Sequence, residues 1–333
     1  MSTMASGAAP ITPATTWPRR IALALADIKI AHTVFALPFA VLGVFLATPA
    51  FRHDAANAPP SAGAARSSDA IGVLAFQLLL ILVCMFLART WAMIVNRWAD
   101  WRFDAANART ARRAIASGKL APRQAVAIAL VCAACFLFAC AGFWAVWGNP
   151  LPLILGVPVL AWLGFYSFTK RFTALSHIVL GISLGLSPNA AAAAIEPGAV
   201  FSTQGFQPTI VLLAGFVLLW VAGFDVAYAL QDLDFDRKTG LRSIPARVGV
   251  RGALWIARLF HVAAFILLLL AWRADTRFGV GMGGAIAGVG LLLFGEHVIL
   301  ARRGIAGLPL AFGTLNGVIS VVLGIAGCVD IVV

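Results

Sequence analysis

Charged residues are scarce in this chain. Only 11% of its 333 residues are charged and 61% are hydrophobic, which excludes an ordinary water-soluble globule. The five cysteines all lie in apolar segments, so neither a disulfide framework nor a zinc site is expected. Acidic residues number 13 against 25 Lys and Arg, and the net charge of +12 could suggest nucleic acid. The basic residues sit in short loops between apolar runs, however, so we predict a membrane protein that binds no nucleic acid.

Apolar runs of about twenty residues, long enough to cross a lipid bilayer as helices, recur along the chain. They predict nine membrane helices, over residues 21–48, 70–96, 122–146, 150–168, 174–195, 207–231, 251–272, 278–300 and 306–329. Residues 1–18 are rich in Ser, Thr, Pro and Ala and predict a disordered tail, followed by a single transmembrane domain over 19–333. The predicted fold class is therefore an all-α membrane protein.

The distribution of positive charge predicts the orientation. With a cytoplasmic N-terminus, only four Lys and Arg residues lie outside, namely Arg52, Arg66, Arg273 and Arg277. This bias predicts a multi-pass protein of the cell inner (plasma) membrane, with the loops 97–121 and 232–250 in the cytoplasm. Each loop begins with an acidic cluster, and the two helices before them are four spans apart. The spacing suggests two four-helix pseudo-repeats followed by one further helix.

The first acidic cluster ends the second predicted helix. At about 100° per residue, Asn96, Asp100 and Asp104 fall on one helical stripe. Carboxylates four residues apart repel each other, so the cluster calls for a counter-charge. Mg²⁺ suits it, because this ion is typically held by one or two carboxylates together with substrate phosphates. For one such cluster alone, a merely solvated helix end is an equally good interpretation.

The second acidic cluster ends the sixth predicted helix. Asp225, Asp232 and Asp236 share one helical stripe, with Tyr228 beside them and Asp234 on the opposite side. Two facing clusters would clamp a diphosphate between metal ions, which lowers the cost of breaking an allylic C–O bond. The ring face of Tyr228 is placed to stabilise the resulting carbocation.

Several basic residues near the clusters could complete an anion site. They are Arg97, Arg102, Arg109, Arg113, Lys170, Arg171, Lys238 and Arg242. Any one of them could instead be only a topology determinant or a lipid contact.

The two clusters resemble the signatures of a known family. The run Asn96-Arg97-x-x-Asp100-x-x-x-Asp104 is similar to the first motif of the UbiA superfamily of intramembrane prenyltransferases, and Tyr228-x-x-x-Asp232-x-x-x-Asp236 looks like the second. The segment 166–172 resembles a basic stretch of the same family. The resemblance implies a helical bundle with a central cavity open to lipid, and Mg²⁺-dependent transfer of a polyprenyl group from polyprenyl diphosphate to an aromatic ring.

The resemblance also implies roles for individual residues. Metal and diphosphate would be held by Asn96, Asp100, Asp104, Asp232 and Asp236, and the phosphates would be bound by Arg97, Lys170, Arg171 and Lys238. Where relatives commonly have Arg-Pro after the first motif, this chain has Arg113-Ala114, so the rigidity of that loop does not follow from the resemblance.

The stretches 32–39 and 231–236 look most like the 4-hydroxybenzoate polyprenyltransferase-like branch, part of which is linked to menaquinone made through the futalosine route. The implied acceptor is a hydroxylated aromatic acid, either 4-hydroxybenzoate or a dihydroxynaphthoate, in ubiquinone or menaquinone biosynthesis. Haem, chlorophyll and homogentisate prenylation remain alternatives within the superfamily.

Two charged residues lie deeper in the membrane than the motifs. Arg89 and Asp225 each stand seven residues before a motif residue, which places them on the metal-facing stripes about 10 Å further in. We expect both to line the acceptor pocket, with Arg89 binding the aromatic carboxylate. A structural ion pair between the two is the alternative.

Two other classes of protein share parts of this pattern. Transporters also contain repeated helix halves and buried acids, but they do not explain acids repeated at four-residue spacing at helix ends. CDP-alcohol phosphatidyltransferases also end a motif in D-x-x-x-D, but their upstream Asp-Gly and Ala-Arg signature is absent from this sequence.

Overall fold

The computed structural model describes residues 16–26, 35–51, 68–203 and 205–333, and within these it contains helices and no strands. The helices are α1 (Trp17–Ala26), α2 (Leu37–Ala47), α3 (Ser68–Ala106), α4 (Pro122–Trp147), α5 (Leu151–Thr169), α6 (Ser176–Ile195), α7 (Gly198–Phe201), α8 (Pro208–Tyr228), α9 (Leu233–Thr239), α10 (Ile244–Ala274), α11 (Val280–Arg303) and α12 (Asn316–Val332). A 3₁₀ turn, Ala229–Asp232, joins α8 to α9, and a π-helical segment, Pro309–Leu315, leads into α12.

Eight helical segments in the described residues are long and apolar enough to cross a membrane. They correspond to eight of the nine predicted spans. The ninth, 21–48, includes residues 27–34, which lie outside the described part of the chain, and its described portions are α1 and the shorter apolar helix α2. Most of the predicted tail, residues 1–15, also lies outside it.

The two predicted cytoplasmic loops are partly helical. The helix α3 is 39 residues long, or about 58 Å, so it extends well beyond the roughly 30 Å hydrocarbon core. As a result the true loop after α3 covers only residues 107–121. The predicted loop 232–250 contains α9 and the start of α10, which bends at Gly249, where φ is 72°. Both acidic motifs therefore stand on helical backbone at the membrane surface.

The helices pack around a ring. Helices α2, α6, α8, α10, α11 and α12 follow one another around it, while α3, α4 and α5 pack on one another and join it mainly through the contact of α5 with α6. Helix α8 is the most buried, with Phe216 and Trp220 fully enclosed. Small residues allow α6 to approach it, because a Cβ at Gly185 would lie 2.7 Å from the carbonyl oxygen of Ala214. This packing brings the ends of α3 and α8, which carry the two motifs, together.

Candidate active site

The first motif lies on the last turns of α3, as its spacing predicts. The amide of Asn96 donates to Asp100 Oδ2 at 3.4 Å, and Nη1 of Arg97 donates to Asn96 Oδ1 at 3.0 Å. The same Arg97 nitrogen lies 4.0 Å from Asp104 Oδ2. The structure therefore groups the three predicted metal ligands of this helix with a guanidinium.

The loop after α3 folds back onto the first motif. Arg113 Nη1 donates to Asp104 Oδ1 at 2.6 Å, and Thr110 Oγ1 donates to the backbone carbonyl of Asp104 at 3.0 Å. The loop is anchored by its apolar side chains, since Ala114 and Leu120 are buried and the Leu120 amide donates to the Ala114 carbonyl. Ala114 thus occupies a packed position in an ordered loop even though no proline is present there.

The second motif departs from a continuous helix. Helix α8 ends at Tyr228, and the 3₁₀ turn carries Asp232 before α9 begins. Asp236 is 2% exposed and accepts a hydrogen bond from Ser243 Oγ at 2.8 Å. Asp234 is exposed, in agreement with its predicted orientation away from the site. Asp232 and Asp236 interact electrostatically across this change in backbone hydrogen bonding.

Side chains from the loop after α3 join the two motifs around Asp232. Arg109 donates twice to this carboxylate, from Nε to Oδ1 at 3.0 Å and from Nη2 to Oδ2 at 2.6 Å. Asn107 Nδ2 donates to Oδ1 at 3.2 Å. Burial disfavours the charged form of Arg109, but the hydrogen bonds and charge of Asp232 outweigh this and raise the pKa of Arg109. The loop that follows the first motif therefore binds the second motif directly.

The basic segment after α5 contributes from a third side. Arg171 Nη2 donates to the Ala99 carbonyl at 2.6 Å and to Asp100 Oδ1 at 3.2 Å. Lys170 interacts electrostatically with Asp100 and with Asp236, one acid of each motif. Lys238, by contrast, is exposed on α9. Two of the basic residues predicted to bind phosphate are thus at the centre of the site, and Lys238 lies at its edge.

The deeper charges are not paired with each other. Asp225 Oδ2 lies 2.6 Å from Nδ1 of His177, which is completely buried. In the part of the chain that the structure describes, Arg89 makes no hydrogen bond or ion pair, and its Nε is buried without a partner. The ion pair between Arg89 and Asp225, considered as an alternative from the sequence, is therefore absent.

An aromatic pair lies between the deep groups and the motifs. The rings of Tyr228 and Phe312 are 4.2 Å apart and tilted by 30°. Phe312 belongs to the π-helical segment before α12 and also contacts Phe224 and Phe35 edge-on. The ring of Tyr228 thus forms part of an aromatic wall next to the second motif.

The comparison with known proteins decides the family. Residues 36–318 match the UbiA prenyltransferase family, which is most of the chain. This chain belongs to the UbiA prenyltransferase family. It is an integral membrane enzyme that transfers prenyl groups, which excludes the transporter and the phosphatidyltransferase considered from the sequence.

UbiA relatives match over most of their length. A 4-hydroxybenzoate octaprenyltransferase from Tolumonas auensis is 31% identical over 234 residues, which is 70% of this chain and 77% of the relative. Another, from Citrobacter koseri, is 28% identical over 227 residues, covering 67% of this chain and 74% of the relative.

Solved UbiA structures share the fold. The apo structure of a UbiA homologue from Aeropyrum pernix K1 is 28% identical, covers 91% of this chain and 99% of its own, and superposes with a TM-score of 0.71. A UbiA homologue from Archaeoglobus fulgidus bound to GPP and Mg²⁺ is 16% identical, covers 93% of this chain and 100% of its own, and has a TM-score of 0.63.

The donor set of this UbiA site suits a hard divalent cation. Its polar groups are carboxylates and one amide oxygen, the oxygen ligands that Mg²⁺ prefers. Within the described residues, no three His, Cys, Asp or Glu side chains form a ready-made metal cluster. Each motif instead offers carboxylates that are neutralised by arginines, so a bound metal would need further oxygens from a substrate phosphate.

Several polar groups of this UbiA site were not predicted from the sequence. His177 and Ser243 were missed because their roles depend on loops and on helices distant in the chain. Glu296 and His297, on α11, belong to a buried polar cluster in which Glu296 is 1% exposed and His297 Nε2 lies 3.0 Å from His261 Nδ1. The available signal was a polar residue inside an apolar span. Residues 32–34, the start of the stretch 32–39 that resembles the 4-hydroxybenzoate branch, lie outside the described residues.

Proposed function

We propose that this enzyme transfers a polyprenyl group from polyprenyl diphosphate to a hydroxylated aromatic acid, with Mg²⁺ as its cofactor. The acceptor is 4-hydroxybenzoate or a dihydroxynaphthoate, and the product serves ubiquinone or menaquinone biosynthesis. The relatives named as 4-hydroxybenzoate octaprenyltransferases support the acceptor class. The Archaeoglobus homologue bound to GPP and Mg²⁺ supports the donor and the metal.

The observation that carries the proposal is the joining of both acidic motifs around Asp232. Asn107 and Arg109 bind this carboxylate from the loop of the first motif, and Lys170 faces acids of both motifs. Such a site is suited to a diphosphate with bound divalent metal. The acids bind the metal, and the cations between them bind the phosphate oxygens.

The positions of the motif residues support a role for each of them in the proposed reaction. Metal and diphosphate are held by Asn96, Asp100, Asp104, Asp232 and Asp236, and the phosphates are contacted by Arg97, Arg109, Arg113, Lys170, Arg171 and Lys238. When bound, the cation neutralises the charge of the leaving diphosphate. When the diphosphate binds, its oxygens replace the motif carboxylates as hydrogen-bond partners of these arginines.

Residues on the membrane side of the motifs contact the prenyl carbocation and the aromatic acceptor. Tyr228 and Phe312 present ring faces next to the second motif, where an allylic carbocation forms, and cation–π attraction of about 0.5–2 kcal/mol stabilises it. Arg89, whose guanidinium has no partner among the described residues, binds the acceptor carboxylate. Asp225 lines the same pocket from α8.

We place the enzyme in the cell inner membrane, with its N-terminus and both active-site loops in the cytoplasm. The bias of Lys and Arg toward that side supports this orientation. Both substrates would then reach the site from the cytoplasm or from the lipid.

Product mass spectrometry with a panel of acceptors tests the proposal. Membranes containing the enzyme are incubated with polyprenyl diphosphate, Mg²⁺ and either 4-hydroxybenzoate, a dihydroxynaphthoate or homogentisate. We expect a prenylated aromatic acid that chelation with EDTA abolishes and that membranes without the enzyme do not form. Release of diphosphate without any prenylated acid would contradict the proposed acceptor class.

A further inference from the structure

His177 and Asp225 form a hydrogen-bonded pair that contains none of the predicted metal ligands. His177 lies in the first turn of α6 and its side chain is 0% exposed, whereas that of Asp225, in the last turns of α8, is 17% exposed. The two side chains meet at 2.6 Å, between Nδ1 and Oδ2. Only the carboxylate end of this pair is thus open to a ligand.

The backbone of α10 fixes the tautomer of His177. The Ile244 amide donates to His177 Nε2 at 3.4 Å. Because Nε2 accepts this hydrogen bond it carries no proton, so the ring proton is on Nδ1 and is donated to Asp225. The donor is itself held in place, since Ser243, the residue before it, caps α10 and binds Asp236. His177 therefore holds the Asp225 carboxylate by one oxygen and in one orientation.

The free oxygen of Asp225 faces the interior of the site. Between Trp220 and Leu230 on the α8 segment, only Asp225 and Tyr228 are not buried, so both face the same opening. Tyr166, from α5, interacts electrostatically with both Asp225 and Asp100. Since Oδ2 is taken by His177, Oδ1 is available to a group bound between α5 and α8.

We propose that Asp225 is the proton acceptor for the hydroxyl group of the aromatic substrate, and that His177 is the residue that positions it. This inference rests on the proposed function. Arg89 and Asp225 each stand seven residues before a motif residue, on the membrane side of both motifs, so an acid held by Arg89 can present its hydroxyl to Asp225. Asp100, Asp104 and Asp232 each pair with an arginine, whereas Asp225 is held by His177 through Oδ2 alone.

Asp225 first accepts the hydroxyl proton and later returns it. The C–O bond of the prenyl diphosphate breaks and its electron pair leaves with the diphosphate, while the ring carbon next to the hydroxyl forms the new C–C bond. The hydroxyl proton passes to Asp225, giving a dienone. The ring carbon then loses its hydrogen as a proton to water or diphosphate, and Asp225 returns its proton to the oxygen. The net products are the prenylated phenol, diphosphate and one proton.

A substrate that needs no base tests this assignment. Asp225→Asn is compared with the wild-type enzyme on 4-hydroxybenzoate and on a ring-fluorinated analogue whose hydroxyl is already ionised at the assay pH and which keeps a hydrogen next to it. We expect kcat to fall about 10²–10³-fold on 4-hydroxybenzoate, the usual contribution of a general base, and less than about 10-fold on the analogue. Thermal stabilisation by a prenyl thiodiphosphate with Mg²⁺ checks that the variant folds.

His177 is tested by a conservative pair of variants. In His177→Gln the amide can still donate to Asp225 and accept from Ile244, so we expect kcat to remain within about 10-fold of wild type. In His177→Leu we expect kcat to fall about 100-fold while the KM for prenyl diphosphate is unchanged. Equal losses for Asp225→Asn on both acceptors, or equal losses for the two His177 variants, would overturn the assignment while the proposed function stands. A wild-type enzyme that prenylates no hydroxylated acid would overturn both.

Discussion

Arg89 is the residue on which the choice of acceptor depends most. Its guanidinium has no partner in the described residues, and a carboxylate would satisfy it by charge-assisted hydrogen bonds. We predict that Arg89→Gln raises the KM for the aromatic acid about 10- to 100-fold, as expected for a charged hydrogen bond of about 1.5–3 kcal/mol. The KM for prenyl diphosphate should not change. Steady-state kinetics with each substrate varied in turn measures both.

The matched control for Arg89 is an acceptor without the carboxylate. A simple phenol should be used equally poorly by the wild type and by Arg89→Gln, because the group that Arg89 binds is missing. A variant that no longer folds, or one whose KM for prenyl diphosphate rises as much as that for the acid, would contradict a role in acceptor binding.

Arg109 is the cation that joins the two motifs. Its two hydrogen bonds to Asp232 place it where diphosphate oxygens are expected, although its side chain is 35% exposed. We predict that Arg109→Gln raises the KM for prenyl diphosphate about 10-fold or more and leaves the KM for the aromatic acid unchanged. Arg112, exposed in the same loop, is the control, and Arg112→Gln should behave as wild type. Equal effects of the two variants would mean that only the overall charge of the loop matters.

The motif residues could be predicted from the sequence, but their partners could not. The four-residue spacing of Asp100 and Asp104 places both carboxylates on one helical face whatever the rest of the fold does. The hydrogen bonds from Arg109 and Arg113 depend on the path of the loop 107–121, which no periodicity encodes. His177 lies 48 residues from Asp225, and only the packing of α6 on α8 brings them together.

At the scale of elements, α8 shows where helical periodicity fails. The predicted span ended at residue 231 and helical periodicity was applied as far as Asp236, but the 3₁₀ turn Ala229–Asp232 interrupts the helix. Such a turn tightens the backbone at a helix end, and its local hydrogen bonds cannot be detected from the hydrophobic pattern of the sequence. The orientation of Asp234 was nevertheless predicted correctly, because it depends only on its immediate neighbours.

The contact between α6 and α8 yields a test of stability. A Cβ at Gly181 would collide with the backbone carbonyl of Leu218, so Gly181→Ala must push the two helices apart. We predict a loss of about 1–3 kcal/mol, the usual cost of overpacking, seen as a lower midpoint of thermal unfolding in detergent. Activity should fall as well, because α6 carries His177 and α8 carries Asp225.

Gly284 provides the matched control for this substitution. It lies exposed on α11, where an added Cβ would meet none of the described atoms within 4 Å. Gly284→Ala should therefore leave the unfolding midpoint unchanged or slightly raised, since alanine favours helix. Equal destabilisation by both substitutions would show that the close approach of α6 to α8 does not limit stability.

At the scale of the whole molecule, hydrophobicity predicted most of the fold. Eight of the predicted spans are present because a bilayer forces apolar runs of this length into helices. The region 21–48 was predicted as one span, and its described parts are two separate helices. The ring order of the helices and the buried network around Asn316 did not follow from the sequence, because both depend on which faces pack together.

The central claim is that acids on α3 and on the turn after α8 jointly hold a divalent cation and a diphosphate. Two measurements on the variants Asp100→Asn, Asp232→Asn and Asp234→Asn test this claim. One is the binding of an unreactive prenyl thiodiphosphate with and without Mg²⁺, and the other is turnover. The first two variants should lose Mg²⁺-dependent binding and at least about 10³-fold in kcat/KM, a loss of about 4 kcal/mol, while the exposed Asp234→Asn behaves as wild type. Turnover that survives neutralisation of Asp100 and Asp232, or that falls equally in Asp234→Asn, would contradict the claim.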